Sequence, residues 1–415
     1  GIANYVFYEN STIKGISIPD SVTTIGTCVF YGCSNLREIS IPDSVSSIGA
    51  LAFDSTPWFE EKQTENPLVI INNILLDGKK CDGDVVIPDG VTEISSYAFY
   101  ECKSLQTIFI PESVKLIGDN AFSTAHVSTE GFFWGGGYWG DLLSISVDPN
   151  NKYYCDVDGV LFDKSMETLI QCPTSYECSE YHIPDGVKTI RSNSFYGCTG
   201  IDKIECPDSV ITIESNAFKM FTSLGEISLS RNLKKIGSYA FENCRNLYEI
   251  TIPESVEEIG YNAFFYADLY EITIENPDVE LPSGFLINHM ETIDGKTVYS
   301  YTGVINGKEH STAQKYAEDN NIKFNSLGTF TYNYGDVTGD GIIDATDASF
   351  ILTAYAKSSI NEDDGMTAQQ RKCADVNKDG VVDAVDASTV LTFYALSSTG
   401  NKQTFDEFVM SLSNL

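Results

Sequence analysis

Two stretches, GDVTGDGIIDATDAS (335–349) and ADVNKDGVVDAVDAS (374–388), crowd oxygen-bearing side chains at near-alternate positions around one glycine. In the first, Asp336, Thr338, Asp340, Asp344 and Asp347 stand at positions 1, 3, 5, 9 and 12, with Gly341 at 6 and the Ile342 carbonyl at 7. In the second, Asp375, Asn377, Asp379, Asp383 and Asp386 fill the same places, with Gly380 and the Val381 carbonyl. A loop curled around a point brings alternate side chains to it, and glycine permits the sharp turn at position 6. Carboxylates packed so closely repel one another unless a cation lies among them. The chemistry is therefore binding of a hard divalent cation by oxygen ligands, at the spacing of an EF-hand calcium loop. Two loops predict two Ca2+. Residues 335–357 and 374–396 agree at 13 of 23 positions, so the unit is duplicated.

Each loop needs a helix behind it. ATDASFILTAYAK and AVDASTVLTFYAL follow, with apolar residues at helical spacing, and a third helix is expected at about MTAQQRKCA. GTFTYNYG, ahead of Asp336, is not an amphipathic helix. The tail FDEFVM (405–410) reads as a short clasp helix against Tyr332 or Tyr334. Two loop-helix copies with Asp at position 12 resemble a dockerin module over about 335–398. The resemblance implies a cohesin partner, carried by a scaffoldin or cell-surface anchor protein of a cellulosome-type assembly, and calcium held by the twelve positions named above. Thr338 departs from the usual Asp or Asn, which weakens the first site or leaves a water in its shell. The recognition positions carry over onto Ala345, Thr346, Leu352, Thr353 and Lys357, and onto Ala384, Val385, Leu391, Thr392 and Leu396. Leu352 and Leu391 fit the module's core equally well. The copies differ at Thr346/Val385 and Lys357/Leu396, so docking in two orientations is allowed but not assured.

The rest of the chain repeats. Ile18, Ile41, Ile87, Ile110, Ile183, Cys206, Leu229, Ile252 and Ile274 mark units of about 23 residues, reading L-x-x-I-x-I-P-x-S-V-x-x-I-G-x-x-A-F-x-x-C. Leu36, Ile39 and Ile41 make a short strand with Glu38 and Ser40 outward, Pro42 ends it, Val45 and Ile48 form a second extended piece, and Gly49 is expected to allow the turn. One phenylalanine per unit (Phe30, Phe53, Phe99, Phe122, Phe195, Phe218, Phe241, Phe264) points at the axis. Such faces are buried only by stacking units. Of eleven cysteines, Cys33, Cys102, Cys198 and Cys244 share one slot, elsewhere Thr, Ala or Phe, and read as reduced core residues, as does Cys206. Cys172 and Cys178 lie in an irregular segment and could pair. Phe7 precedes Phe30 by one period, so the chain opens mid-unit and an N-terminally truncated solenoid is expected.

The signature IPDSV…IG..AF…C resembles the BspA-like leucine-rich repeat family over about 1–325. Stretches 66–90 and 150–173 resemble that family's elongated hairpin-type units, and 311–327 its closing helix and strand. The expectation is an α+β chain: a leucine-rich-repeat β-solenoid at 1–327, a linker at 328–334, and a small all-α, two-loop dockerin with tail at 335–415. One insertion, AHVSTEGFFWGGGYWGD, sets Phe132, Phe133, Trp134, Tyr138 and Trp139 around glycines. It reads either as an aromatic platform for a sugar ring or protein, or as a loop folded onto the solenoid. A partner on the open strand face would meet Glu38, Phe109, Glu205, Tyr248 and Tyr270.

A formal net charge of −33 argues against nucleic acid and anionic membranes as partners. No run of apolar residues is long enough for a membrane span, and no signal peptide is visible. Catalysis finds no support: His126, His182, His289 and His310 are scattered, and no nucleophile elbow, zinc helix or phosphate loop occurs. The expectation is a non-catalytic, secreted or surface-attached component. Its solenoid would bind a protein or plant polysaccharide in a degradative assembly; alternatively it is an adhesin for which the dockerin is only the anchor.

Overall fold

Each repeat supplies residues for two parallel ladders. The strands Gly15–Ser17 and Glu38–Ser40 pair in register, as do Glu180–His182, Lys203–Glu205 and Glu226–Ser228. The second extended piece forms its own ladder, Thr168–Gln171, Thr189–Ile190, Thr212–Ile213, Lys235–Ile236 and Glu258–Ile259. Between the ladders runs a column of rings. Phe195, Phe218, Phe241 and Phe264 are fully buried and stack face to face, with centroids 5.0, 5.0 and 5.2 Å apart. The result is a β-solenoid of about 13 turns followed by a helical region. This computed structural model describes the chain except residues 125, 128–136, 139, 294–295, 330–331, 361, 367, 401 and 413–415, and the side chains of 126–127, 137–138, 291–293, 296–297 and 368–369. Two compact units result: residues 1–273 with 281–304, and residues 274–280 with 305–415.

The cysteine column is reduced, and all eleven thiols are free. Cys33, Cys102 and Cys244 each donate to a carbonyl of the preceding turn, those of Phe7, Cys81 and Phe218, at 3.0–3.2 Å. Burial pushes the Cys102 thiol up to about 11. Cys172 and Cys178 are not bonded to each other, and Cys206 is only partly buried.

Gly49 has a different duty from the one expected. Its φ is not positive. A Cβ there would run into the backbone of Gly26 and Thr27 one repeat earlier, and Gly118, Gly237 and Gly260 meet the same obstacle. The left-handed backbone falls two residues later and is carried by non-glycine residues: Cys28, Leu51, Tyr97, Asn120, Asn193, Asn216, Tyr239 and Asn262, with φ between 52° and 64°. Asn tolerates that region best, and it fills four of these eight places.

Irregular units interrupt the ladder. Val69–Ile71 and Ile74–Asp77 form an antiparallel hairpin whose turn residues Asn72 and Asn73 both have positive φ, as a type I′ turn needs. Tyr154–Val157, Val160–Asp163 and Thr168–Gln171 make a second antiparallel set. Helix α1, Pro57–Glu65, stands where the period predicts part of another copy. Thr56 caps it by accepting from the Phe59 N–H, Pro57 starts it, and Trp58 and Phe59 are buried against Phe53. The closing helix α2 spans Thr312–Asp319, capped by Ser311, and buries Ala313 and Ala317; the strand Lys323–Thr329 then pairs with Val304–Glu309.

Candidate functional site

The acidic loops lead into helices α3, Ala345–Ser359, and α5, Ala384–Ser398. The short helix α4, Ala368–Ala374, lies between them in sequence, and α6, Phe405–Leu412, follows. The loop residues themselves start the long helices. Asp344 and Asp383 are N-caps, each in a reciprocal capping box with Asp347 or Asp386 three residues on. One core joins α3, α4, α5 and α6: Ile351, Ala354, Cys373, Val390, Phe405 and Phe408 are buried together. Phe405 and Phe408 pack on Phe393, and a Cβ on Gly335 would come within 2.8 Å of the Phe405 ring. The tail is thus a helix of the same core, with Tyr332 and Tyr334 packed against that core.

The loops are held in shape by their own carboxylates. Asp336 accepts from the Gly339 and Gly341 N–H groups at 2.8 and 3.0 Å, and Asp375 accepts from Asp379 and Gly380 at 3.1 and 3.0 Å. Asp340 and Asp379 accept from the N–H groups of Ile342 and Val381. Asp347 and Asp386 are fully buried; Asp347 accepts from the Val337, Thr338 and Asp344 N–H groups, and Asp386 from Val376, Asn377 and Asp383. Burial raises the Asp386 carboxyl above its usual range against those hydrogen bonds. Gly341 and Gly380 have φ of +84° and +86°, with no atom near an added Cβ. The oxygens of Asp375 take one donor each and Asp340 takes one on Oδ1, which leaves lone pairs for a cation, whereas Asp347 Oδ1 already takes three donors and Asp336 Oδ2 two. An all-oxygen donor set on two such turns fits calcium, and does not fit a softer metal that prefers nitrogen or sulfur. The two loops differ at position 3. Thr338 turns its hydroxyl onto Asp347 at 3.0 Å, whereas the Asn377 amide bonds to Asp379.

The positions that the resemblance implies for recognition lie on the solvent side of both helices. Ala345, Thr346, Thr353, Ala384, Val385, Thr392 and Leu396 are exposed, and Lys357 is half-buried. Leu352 and Leu391, 41 % and 40 % exposed, are not core residues. Tyr355 and Tyr394, at matching places one turn further on, are exposed as well and extend the face beyond the positions the resemblance implies. Ile342 and Val381 point outward too, rather than packing the loops together; Ile343 and Val382 pack on the core instead.

On the solenoid, the strand face carries the exposed Glu38 and the half-buried Phe109 and Glu205. Tyr248 and Tyr270 are exposed and stacked, with centroids 5.3 Å apart. Glu180, His182 and Glu205 bring three donors within 4.8 Å of one another. Lys203 already lies against both glutamates at 3.2 and 3.3 Å, and their hydrogen bonds hold its proton more tightly than usual, so the cluster reads as an ion-pair patch. The aromatic insertion falls outside the described residues: of Phe132, Phe133, Trp134, Tyr138 and Trp139, only the backbone of Tyr138 is placed, in a short strand Gly137–Tyr138 paired with His126–Val127.

Two family models match the chain. The BspA type leucine rich repeat region matches six copies, over residues 1–128 and 172–288, and the dockerin type I domain matches residues 334–392. Similar solved structures include a leucine rich cell surface protein of Faecalibacterium prausnitzii A2-165, at 27 % identity over 66 % of this chain and 76 % of that one, TM-score 0.44. The pneumococcal vaccine antigen PcpA is 20 % identical over 76 % and 78 %, TM-score 0.45. A leucine-rich repeat protein of Bacteroides ovatus ATCC 8483 is 24 % identical over 78 % and 80 %, TM-score 0.32. No curated protein matches. Among the described residues no helix is long and apolar enough to cross a membrane.

Proposed function

The chain belongs to the BspA type leucine rich repeat family and carries a dockerin type I domain, and from that premise we propose that it is a non-catalytic, extracellular component of a cellulosome-type assembly. The dockerin, at 335–415 behind a linker at 328–334, binds a cohesin on a scaffoldin or cell-surface anchor. The solenoid, 1–327, carries a separate protein or plant-polysaccharide target. The observation that carries the reading is the duplicated loop-helix pair, with its hydrogen-bonded acidic loops and the exposed matching face of Leu352, Tyr355, Leu391 and Tyr394. Each loop takes one Ca2+ through Asp336, Thr338, Asp340, Ile342, Asp344 and Asp347, or through Asp375, Asn377, Asp379, Val381, Asp383 and Asp386. A bound ion would offset two of the four carboxylate charges in each loop, and these aspartates would tie it to the N-termini of α3 and α5, where Asp344 and Asp383 are the caps.

The test is binding to a cohesin panel in calcium and in excess EGTA. Tight binding to at least one cohesin, lost with EGTA together with the helical circular dichroism of 345–398 while the β-signal of the solenoid persists, is expected. Unchanged affinity in EGTA refutes the calcium reading. A second reading, an adhesin with the dockerin as anchor, is favoured by the exposed Tyr248–Tyr270 stack, since exposed aromatics mark contact surfaces. A glycan array beside a protein pull-down, run with and without the solenoid, separates the two.

A further inference from the structure

Asp278 lies in the loop 274–280, which belongs to the same compact unit as residues 305–415. Its side chain is only 6 % exposed. Oδ1 accepts from the Tyr332 hydroxyl and pairs with the Lys372 ammonium, while Oδ2 has no hydrogen-bond partner among the described residues. Lys372 also donates to the Tyr332 hydroxyl at 2.8 Å, and its Nζ stands 5.1 Å from that ring's centroid. A buried carboxylate is costly without a counter-charge, so this one depends on Lys372 and Tyr332. On its other side the loop is gripped by the first residue of α2: Thr312 donates its N–H to the Pro277 carbonyl at 2.8 Å and its hydroxyl to the Val279 carbonyl at 2.7 Å.

Both partners of Asp278 adjoin groups that build the first acidic loop. Asn333, next to Tyr332, donates its side-chain amide to Asp336 at 2.8 Å, and its carbonyl accepts the Asp336 N–H at 3.1 Å. Cys373, next to Lys372, accepts the Gly335 N–H at 2.9 Å through its carbonyl. The entry to the loop, Gly335–Asp336, is therefore held by the two residues that follow the contacts of Asp278. The second loop has no equivalent attachment to the segment 274–280 among the described residues.

We propose that Asp278 is a positioning residue for the first calcium loop, and that through Tyr332 and Lys372 it couples ion binding there to the order of the closing helix α2. The inference rests on the calcium reading of the loops. Coupling is reciprocal: if the loop filled with calcium steadies α2, cutting the latch weakens calcium at that loop.

The experiment uses the full chain. Calcium is titrated into wild type, Asp278→Ala, Asp278→Asn and Tyr332→Phe, with the amide resonances of Gly341 and Gly380 reporting the two loops separately. Hydrogen exchange of 312–319 is followed with calcium and with EGTA. The expected result for Asp278→Ala is a loss of about fivefold or more in affinity at Gly341, no change at Gly380, and α2 exchange that no longer responds to calcium. Asp278→Asn keeps an acceptor for Tyr332 and should lose less, and Tyr332→Phe, which removes only a hydroxyl, covers the case in which Asp278→Ala fails to fold. Equal losses at both loops, unchanged affinity at the first, or wild-type α2 exchange that ignores calcium overturns the proposal. A wild-type chain that binds no calcium at either loop overturns the underlying reading with it.

Discussion

Asp77 ends the strand Ile74–Asp77 and is 2 % exposed. Gln63 donates to its Oδ2 at 3.0 Å and the Lys79 N–H at 3.3 Å, but the Lys79 ammonium pairs with Asp54. Burial therefore dominates and pushes the Asp77 carboxyl from 3.8 up to about 6, with Lys79 and Gln63 opposing. At about 1.4 kcal/mol per pH unit, the charged form costs the fold about 3 kcal/mol as a ceiling. The sign follows from proton binding. Between pH about 4 and 6 the folded chain keeps a proton that the unfolded chain has released, so stability falls as pH rises through that window and the loss is complete above it. Asp77→Asn places a carbonyl oxygen where Oδ2 was, keeps both donors and carries no charge. Near pH 4 the two proteins should unfold at similar denaturant concentrations; at pH 7 the variant should be more stable by up to about 3 kcal/mol. Denaturant unfolding at several pH values, followed by the fluorescence of the buried Trp58, gives the comparison. A difference that does not change with pH, or a variant less stable at pH 7, refutes the reasoning.

Phe241→Ala removes a fully buried ring stacked between Phe218 and Phe264, and should cost about 3–5 kcal/mol, read from the shift in the solenoid's unfolding transition; a shift near zero would mean the ring column does not hold the stack. Thr338→Asn restores a carbonyl oxygen at position 3 and should tighten calcium at the first loop about tenfold, or about 1.4 kcal/mol, by titration calorimetry; unchanged affinity would show that Thr338 is no weaker a ligand than Asn377.

The repeat was legible because the same few residues recur. A phenylalanine or isoleucine that returns every 23 positions has to face its copies, so ladders, ring column and cysteine slot follow from spacing alone. The helices behind the acidic loops were legible for the same reason. Helix α1 is signalled by Thr56-Pro57, a cap followed by a proline at the first helical position, but it replaces part of a repeat and is hidden by the expectation of another copy. The left-handed position two residues after the Gly49 slot is not legible because Tyr, Leu, Cys and Asn share no side-chain signature; the requirement is on the backbone. Gly49 stands out in the sequence, yet its reason does not, since close approach between turns leaves no trace in a single repeat. The grouping of Asp278 with Tyr332 and Lys372 joins positions 54 and 94 residues apart, which no local pattern encodes.

A ladder of nearly interchangeable rungs carries a hazard of its own. Strand Thr212–Ile213 pairs with Thr189–Ile190 and Lys235–Ile236, yet a chain collapsing out of order could join rungs two repeats apart with almost the same side-chain fit. The antiparallel sets at Val69–Asp77 and Tyr154–Gln171 differ from the flat parallel rungs on either side of them. They act as index marks along the column: a mispaired stack would have to bury a hairpin where a flat turn belongs. Irregularity at these two places thus protects the regularity of the rest, and a version of the chain made wholly of consensus repeats would be expected to refold with more misaligned, slowly escaping species.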